Sequence, residues 1–65
     1  MIYSVQAKVF ATKLGKNFGR IVHITVVAND SEDAIKQGEQ NFKYLCTLLK
    51  KNHNNEFSYT DLTVE

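Results

Sequence analysis

The chain has no proline, only one cysteine and only three glycines among its 65 residues. A single cysteine excludes an intrachain disulfide, so a small domain must fold without a covalent staple, and an intracellular setting is the simplest reading. No apolar run approaches the roughly 20 residues of a membrane span, and the N-terminus lacks the charged flank of a signal peptide. With 43% hydrophobic residues and no repeat, the chain is too apolar for a disordered tail. We expect one cytoplasmic domain over residues 1–65, without a membrane partner.

Acidic residues are absent from the first 28 positions. That segment contains three lysines and one arginine, whereas residues 29–65 contain four lysines and seven acids. The near-neutral net charge of +1 therefore conceals a strong asymmetry. Such a split describes the surfaces offered to partners more than it describes the fold. Because a chain of this length buries only roughly 60% of its unfolded surface, burial against a partner or a second copy adds stability.

Hydrophobic periodicity predicts three strands and one helix. Alternation from Tyr3 to Val9 predicts the first strand, and the two glycines within residues 13–20 predict a long hairpin loop. Arg20 begins a second strand that is β-branched on both faces and runs to Ala28. Residues 57–64 predict a third strand, and the change in its alternation indicates a bulge near Thr60 or Asp61.

The helix is expected to begin at Asp30 or Ser31, which can accept hydrogen bonds from first-turn N–H groups, and to end near Lys51. Mid-helix Gly38 costs roughly 1 kcal/mol against alanine, so we expect it to allow close approach to the sheet, over Ala7. The predicted buried stripe consists of Ile35, Gly38, Phe42, Leu45, Cys46 and Leu49.

The order of elements restricts the topology. A strand-helix-strand crossover between parallel strands is right-handed in nearly all proteins, so the third strand should run parallel to the second. Placing the first strand between them gives the order 2-1-3 with antiparallel neighbours and the helix across one face. The sequence thus predicts an α+β domain of the β-β-α-β type.

This topology puts the second strand at an edge of the sheet. Residues 21–29 carry no formal charge when His23 is neutral, so the edge lacks the lysine or proline that usually prevents strand addition. It invites a homodimer or a partner strand, unless the third strand or the hairpin loop covers it. The predicted pairing edge consists of Ile21, His23, Thr25 and Val27.

Basic residues occur in two groups that are candidates for partner binding. The first lies in the hairpin loop, where Phe18 is either an anchor for a partner's pocket or folded onto the sheet. The second group is formed by Lys36, Lys43 and Lys50 and is here called the helix stripe. Its members are spaced by seven residues, so they lie in one row beside the buried face of the helix. Alternatively, the helix stripe is an ordinary solvated surface with Glu32–Lys36 and Glu39–Lys43 pairs. The candidate partner-binding residues are Lys13, Lys16, Phe18, Arg20, Lys36, Lys43 and Lys50.

No spacing in the chain indicates catalysis, a cofactor or a metal site. The soft ligands His23, His53 and Cys46 are assigned to strand, loop and core positions, which do not converge. The segment 15–20 superficially resembles a phosphate loop, but it lacks the Gly-Lys-Ser/Thr ending and a following helix. We therefore expect no enzyme activity, no cofactor and no bound metal.

The order of elements, with the strand-to-helix junction VVANDSEDAI at residues 26–35, resembles small phage-encoded accessory inhibitors. These include short antitoxins directed against host RNase toxins and the smallest α+β anti-CRISPR proteins. The resemblance implies action in the host cytoplasm by occupying a surface of a host enzyme or complex. Their contact residues follow no shared pattern, so the resemblance assigns no residue of this chain.

Three functions follow as alternatives. The first is a phage-type inhibitor that covers a host nuclease, toxin or defence complex, with its basic loop and helix stripe meeting acidic patches on the target. The second is a small binder of RNA or single-stranded DNA that uses the same residues directly. The pI near 7.9 is lower than that of most dedicated nucleic-acid domains. The third is a structural subunit that self-assembles through the second strand.

Overall fold

A computed structural model describes all 65 residues and shows the predicted α+β architecture. The elements in chain order are strand β1 (Ile2–Ala11), a short 3-10 turn (Lys16–Phe18), strand β2 (Arg20–Val27), helix α1 (Ser31–His53) and strand β3 (Phe57–Val64). The sheet order is β2-β1-β3, and β1 is antiparallel to both neighbours. The prediction of a three-stranded antiparallel sheet with one helix on one face is confirmed.

The ends of α1 follow from local hydrogen bonding. Asp30 is the N-cap residue, and its side chain accepts a hydrogen bond from the Asp33 N–H at 2.9 Å. Asn54 ends the helix in the left-handed conformation, with its N–H donating to the Lys50 carbonyl at 2.8 Å. The helix therefore extends two residues beyond the predicted end at Lys51.

The core lies between α1 and the inward face of the sheet. Side chains alternate along the strands, so Val5 and Val26 face the helix while their sequence neighbours face away from it. Phe42 is fully buried and packs against Tyr59, with ring centroids 5.7 Å apart. The buried core consists of Val5, Ala7, Val9, Val26, Ala28, Ala34 and Phe42.

Two details of the helix packing differ from the sequence prediction. Ile35 is 37% exposed, and its neighbour Ala34 takes the buried position. Gly38 lies over Val5 rather than Ala7, because a Cβ at position 38 would be 2.6 Å from Val5 Cγ1. Small residues one turn apart bring the first half of α1 very close to the sheet, which leaves no room beneath it for isoleucine.

The predicted irregularity in β3 is confirmed. The register with β1 shifts between Gln6 and Lys8, and Asp61 has φ of 58°. The extra residue in β3 changes which positions pack against the core. Phe57 and Tyr59 do so before the bulge, and Leu62 and Val64 do so after it.

Candidate partner-binding surface

The hairpin loop and the C-terminal end of α1 meet at one end of the molecule. The loop turns tightly at Gly15, whose φ of 85° is unfavourable for other residues, and then forms the turn at Lys16–Phe18. The loop base is joined to the start of β3 by the Thr12 N–H, which donates to the Glu56 carbonyl at 2.9 Å. These contacts bring together residues that are far apart in the chain.

A groove of about 450 Å³ lies between this loop and the end of α1. Apolar side chains dominate its lining, while Arg20 and His53 add polar groups. We call this feature the end groove. Its lining residues are Val9, Phe10, Ala11, Leu14, Phe18, Arg20, Val22, Leu49, His53, Asn55 and Phe57.

Phe18 is the most exposed aromatic side chain that lines the end groove. It is 75% accessible to solvent, so it is not folded onto the sheet. Leu14, from the same loop, is 57% exposed. An open groove between two such side chains offers apolar contact area with little rearrangement of the fold.

The charges around the end groove are mostly positive. Lys13 and Lys16 are exposed on the loop, and the last turn of α1 contributes Lys50 and Lys51 beside His53. Glu56 is the acid at this end, and it forms the only salt bridge in the structure, with Lys50. An apolar groove with a basic rim is therefore the dominant chemical feature of this end.

The helix stripe lies on the side of α1 that faces β3. Lys43 lines a second, more open depression with Tyr59 and Cys46, and Lys50 reaches Glu56 at the start of β3. Lys36 is 14 residues before Lys50, which corresponds to about 21 Å along the helix. The Glu32–Lys36 and Glu39–Lys43 pairs, which belong to the alternative of a solvated helix surface, are not formed. The structure thus places Lys50 at the same end of the molecule as the end groove and leaves Lys36 remote from it.

Burial changes the acidity of two groups in the second depression. It raises the pKa of the Cys46 thiol, which therefore stays protonated at neutral pH. Burial also raises the pKa of the Tyr59 phenol, with smaller contributions from the negative charges of Glu39 and Cys46. Neither shift activates a nucleophile, because both favour the protonated form. No group of three or more His, Cys, Asp or Glu side chains is arranged to hold a metal ion.

The β2 edge is open, as predicted. The exposed side chains Ile21, His23, Thr25 and Val27 lie on the face of the sheet that points away from α1. Neither β3 nor the hairpin loop pairs with this edge, since β3 lies on the other side of β1. One side chain reaches it: Gln37 Nε2 donates to the Val27 carbonyl at 2.8 Å.

The end groove itself is not predicted from the sequence, although Phe18 and Arg20 are. Leu14 and Leu49 are 35 positions apart, and nothing in their local patterns shows that they meet. One side of the groove could have been predicted. Leu49 and His53 are four residues apart in α1 and therefore share a face, and Phe57 begins the next strand. The His53 and Phe57 rings lie 5.8 Å apart.

Comparison with known proteins gives no relative from which a role can be taken. No family model matches the chain, and neither a curated protein nor a solved structure shows significant similarity to it. The single helix is not long and apolar enough to cross a membrane.

Proposed function

We propose that this chain is a non-enzymatic binding protein that acts by covering a surface of a larger protein. The observation that carries the proposal is the end groove, a mostly apolar groove of about 450 Å³ whose lining includes Arg20 and whose two walls, the hairpin loop and the end of α1, both carry lysines. This arrangement suits an acidic surface from which one bulky apolar side chain projects. Positive potential guides the encounter, and the inserted side chain provides most of the affinity.

The proposed biological role is that of a phage-type inhibitor of a host nuclease, toxin or defence complex. A basic inhibitor needs an acidic surface on its target. Nucleases and other proteins that bind nucleic acid have such surfaces, because carboxylates bind their metal ions and their basic partners. The loop residues Lys13, Lys16, Phe18 and Arg20 form the primary contact in this proposal. The helix stripe extends the contact along the β3 side, through Lys50 and Lys43 to Lys36.

Direct binding of RNA or single-stranded DNA is the second candidate. It is favoured by one specific observation: Phe18 is 75% exposed between Lys16 and Arg20. An exposed aromatic ring beside cations can stack on a base while the cations contact phosphates. Such binding falls steeply with salt, with a logarithmic slope of about −0.7 for each phosphate contacted.

A tagged pull-down from bacterial lysate, with and without nuclease treatment, separates the two candidates. The inhibitor proposal predicts a discrete protein that is retained after nuclease digestion and identified by mass spectrometry. Loss of all captured material on digestion contradicts it and supports nucleic-acid binding. Capture of nothing under either condition also counts against the proposal.

Two variant baits make this pull-down specific to the end groove. Lys16→Glu reverses one charge on the loop, and the double variant Gln40→Glu with Asn41→Glu makes the same change in net charge at exposed positions in the middle of α1. We expect Lys16→Glu to lose the captured protein and the double variant to retain it. Equal loss with both variants would show that net charge, and not the end groove, governs capture.

A further inference from the structure

We propose that two copies of the chain pair through their β2 edges to form one continuous six-stranded antiparallel sheet. This inference is independent of the proposed function, because it concerns a different side of the molecule. Its starting point is the hydrogen bonding of β2. The Ala28 N–H donates to the Met1 carbonyl at 2.9 Å, and the Met1 amino group donates to the Ala28 carbonyl at 3.0 Å.

That exchange fixes the hydrogen-bonding pattern along the whole strand. In an antiparallel pair, residues that bond to the partner strand alternate with residues whose N–H and C=O groups point the other way. Since Ala28 bonds to β1, the even-numbered residues of β2 also do so. The backbone groups of Ile21, His23, Thr25 and Val27 therefore point outward, where only the Val27 carbonyl has a partner, Gln37.

The opposite edge of the sheet is protected against such pairing. β3 is interrupted by its bulge at Asp61 and is flanked by Glu56 and Glu65. A bulge and nearby charges both prevent regular addition of a strand. β2, in contrast, is regular over eight residues and has no acid or lysine.

Two-fold symmetry selects one register for the pair. An edge that pairs with its own copy in a closed dimer runs antiparallel to it. If Ile24 lies opposite Ile24 of the second copy, Ile21 faces Val27 and His23 faces Thr25. This register uses all four outward residues and gives about eight backbone hydrogen bonds. A register centred on His23 leaves Val27 of each copy without a strand partner. A register centred on Thr25 leaves Ile21 of each copy without one.

The exposed apolar side chains fit the same register. Ile21 is 54% exposed and Val27 is 71% exposed, both on the outward face of the sheet. Pairing places each Ile21 opposite Val27 of the second copy. Ile2, which is 75% exposed and is the β1 neighbour of Val27, lies beside them. Aliphatic cross-strand pairs of this kind each stabilise a sheet.

The charge asymmetry of the chain is also complementary in this arrangement. Arg20 at the start of β2 comes opposite Ala28 of the second copy. Beyond Ala28 the chain of that copy bends at Asn29 and Asp30 and enters the acidic first turn of α1, which contains Glu32 and Asp33. A basic strand start then lies near an acidic helix start twice, once on each side of the two-fold axis.

Sedimentation equilibrium from micromolar to millimolar protein tests the pairing. We expect the wild type to reach twice the chain mass of 7.4 kDa. Thr25→Pro should remain monomeric, because its N–H points away from β1 and only the edge bond is lost. Arg20→Glu should shift the equilibrium to monomer, whereas Lys36→Glu, the same charge change remote from the edge, should not. Circular dichroism establishes that each variant is folded.

Single cysteines introduced into a Cys46→Ala background test the register while every backbone N–H of the strand is kept. Ile24→Cys should form an intermolecular disulfide, because directly opposite Cα atoms lie about 4.5 Å apart in a non-hydrogen-bonded pair. His23→Cys and Thr25→Cys should not, since each is diagonal to its own copy at about 7–8 Å. Both side chains are more exposed than Ile24, so random collision would favour them instead.

The proposal is overturned by a wild type that stays monomeric at millimolar concentration, which would leave the edge free for a strand of another protein. A folded Thr25→Pro variant that still dimerises also overturns it. Disulfide formation at position 23 or 25 in preference to position 24 contradicts the register.

Discussion

Gly38 lies directly on Val5, so close that a Cβ atom at position 38 would be 2.6 Å from Val5 Cγ1. Val5 is fully buried in the central strand and cannot turn aside without disturbing the core. The contact fixes how near the first half of α1 comes to the sheet. It also explains why α1 tolerates the most helix-unfavourable residue, other than proline, near its middle.

Gly38→Ala should therefore destabilise the protein, although alanine favours the helix by about 1 kcal/mol. We expect overpacking against Val5 to exceed that gain and to lower the free energy of unfolding by a net 1–2 kcal/mol, roughly. Urea unfolding followed by circular dichroism measures the change. Gln40→Ala, at an exposed position of the same helix, is the control and should have an effect within about 0.5 kcal/mol.

A double-mutant cycle with Val5→Ala identifies the cause. If the two side chains collide, Val5→Ala should cost less in the Gly38→Ala background than in the wild type, by about 1 kcal/mol or more. Additive effects of the two substitutions would show that the loss at position 38 arises elsewhere.

Phe42 is the largest fully buried side chain, and the domain depends on it. Truncation to alanine should cost about 3–5 kcal/mol. That cost is comparable with the whole stability expected for 65 residues, roughly 3–10 kcal/mol. We expect Phe42→Ala to be largely unfolded and Phe42→Leu to stay folded with a lower melting temperature. Phe18→Ala is the matched control at an exposed site, and a melting temperature lowered as far as that of Phe42→Leu would contradict this account.

The stability of the fold should fall at alkaline pH. Burial raises the pKa of the Cys46 thiol, and burial with nearby negative charge raises the pKa of the Tyr59 phenol. The folded state therefore holds these protons more tightly than the unfolded state, so unfolding releases protons above the unfolded pKa values of about 8.5 and 10. The free energy of unfolding should be insensitive to these groups below about pH 8 and should decrease as pH rises above it.

Urea unfolding at a series of pH values tests this linkage. The combined variant Cys46→Ala and Tyr59→Phe should lose part of the alkaline decrease, while Tyr44→Phe, at an exposed tyrosine, should keep it. A pH dependence that is the same in the combined variant and the wild type would mean that these two groups are not its source.

Dimerisation should make the melting temperature depend on protein concentration. A partner that binds only the folded chain stabilises it by mass action, so the melting temperature rises with concentration. Differential scanning calorimetry should show this rise for the wild type and no rise for Thr25→Pro. A concentration-independent wild type would agree with a monomer and would contradict the paired sheet.

The backbone plan of this fold was predictable because it depends on local chemistry. Alternation gave the strands, Asp30 gave the start of the helix, and the phase change near Asp61 gave the bulge. Crossover handedness and the shared β1 then left the order β2-β1-β3. Each of these inferences uses residues that are near one another in the chain or a rule of topology.

The errors occur where packing between distant residues decides the outcome. Periodicity places both Ala34 and Ile35 near the buried side of α1, and only the close contact of Gly38 with Val5 excludes the larger side chain. The end groove was missed for the same reason, because it requires the loop around Leu14 to meet the end of α1 near Leu49. Phe18 and Arg20 were chosen as candidates from residue type and from their place in the hairpin loop, but the groove that they line was not predicted.

The most direct test of the account is the affinity of the nuclease-resistant target for two matched aromatic variants. Phe18 at the end groove and Tyr44 on the far side of α1 are 75% and 65% exposed. Titration calorimetry should show that Phe18→Ala weakens binding by about tenfold or more, as expected for loss of the aromatic wall that packs on the inserted side chain, while Tyr44→Ala changes it by less than about threefold. Unchanged affinity with Phe18→Ala, or an equal loss with both variants, would contradict the end groove as the contact surface.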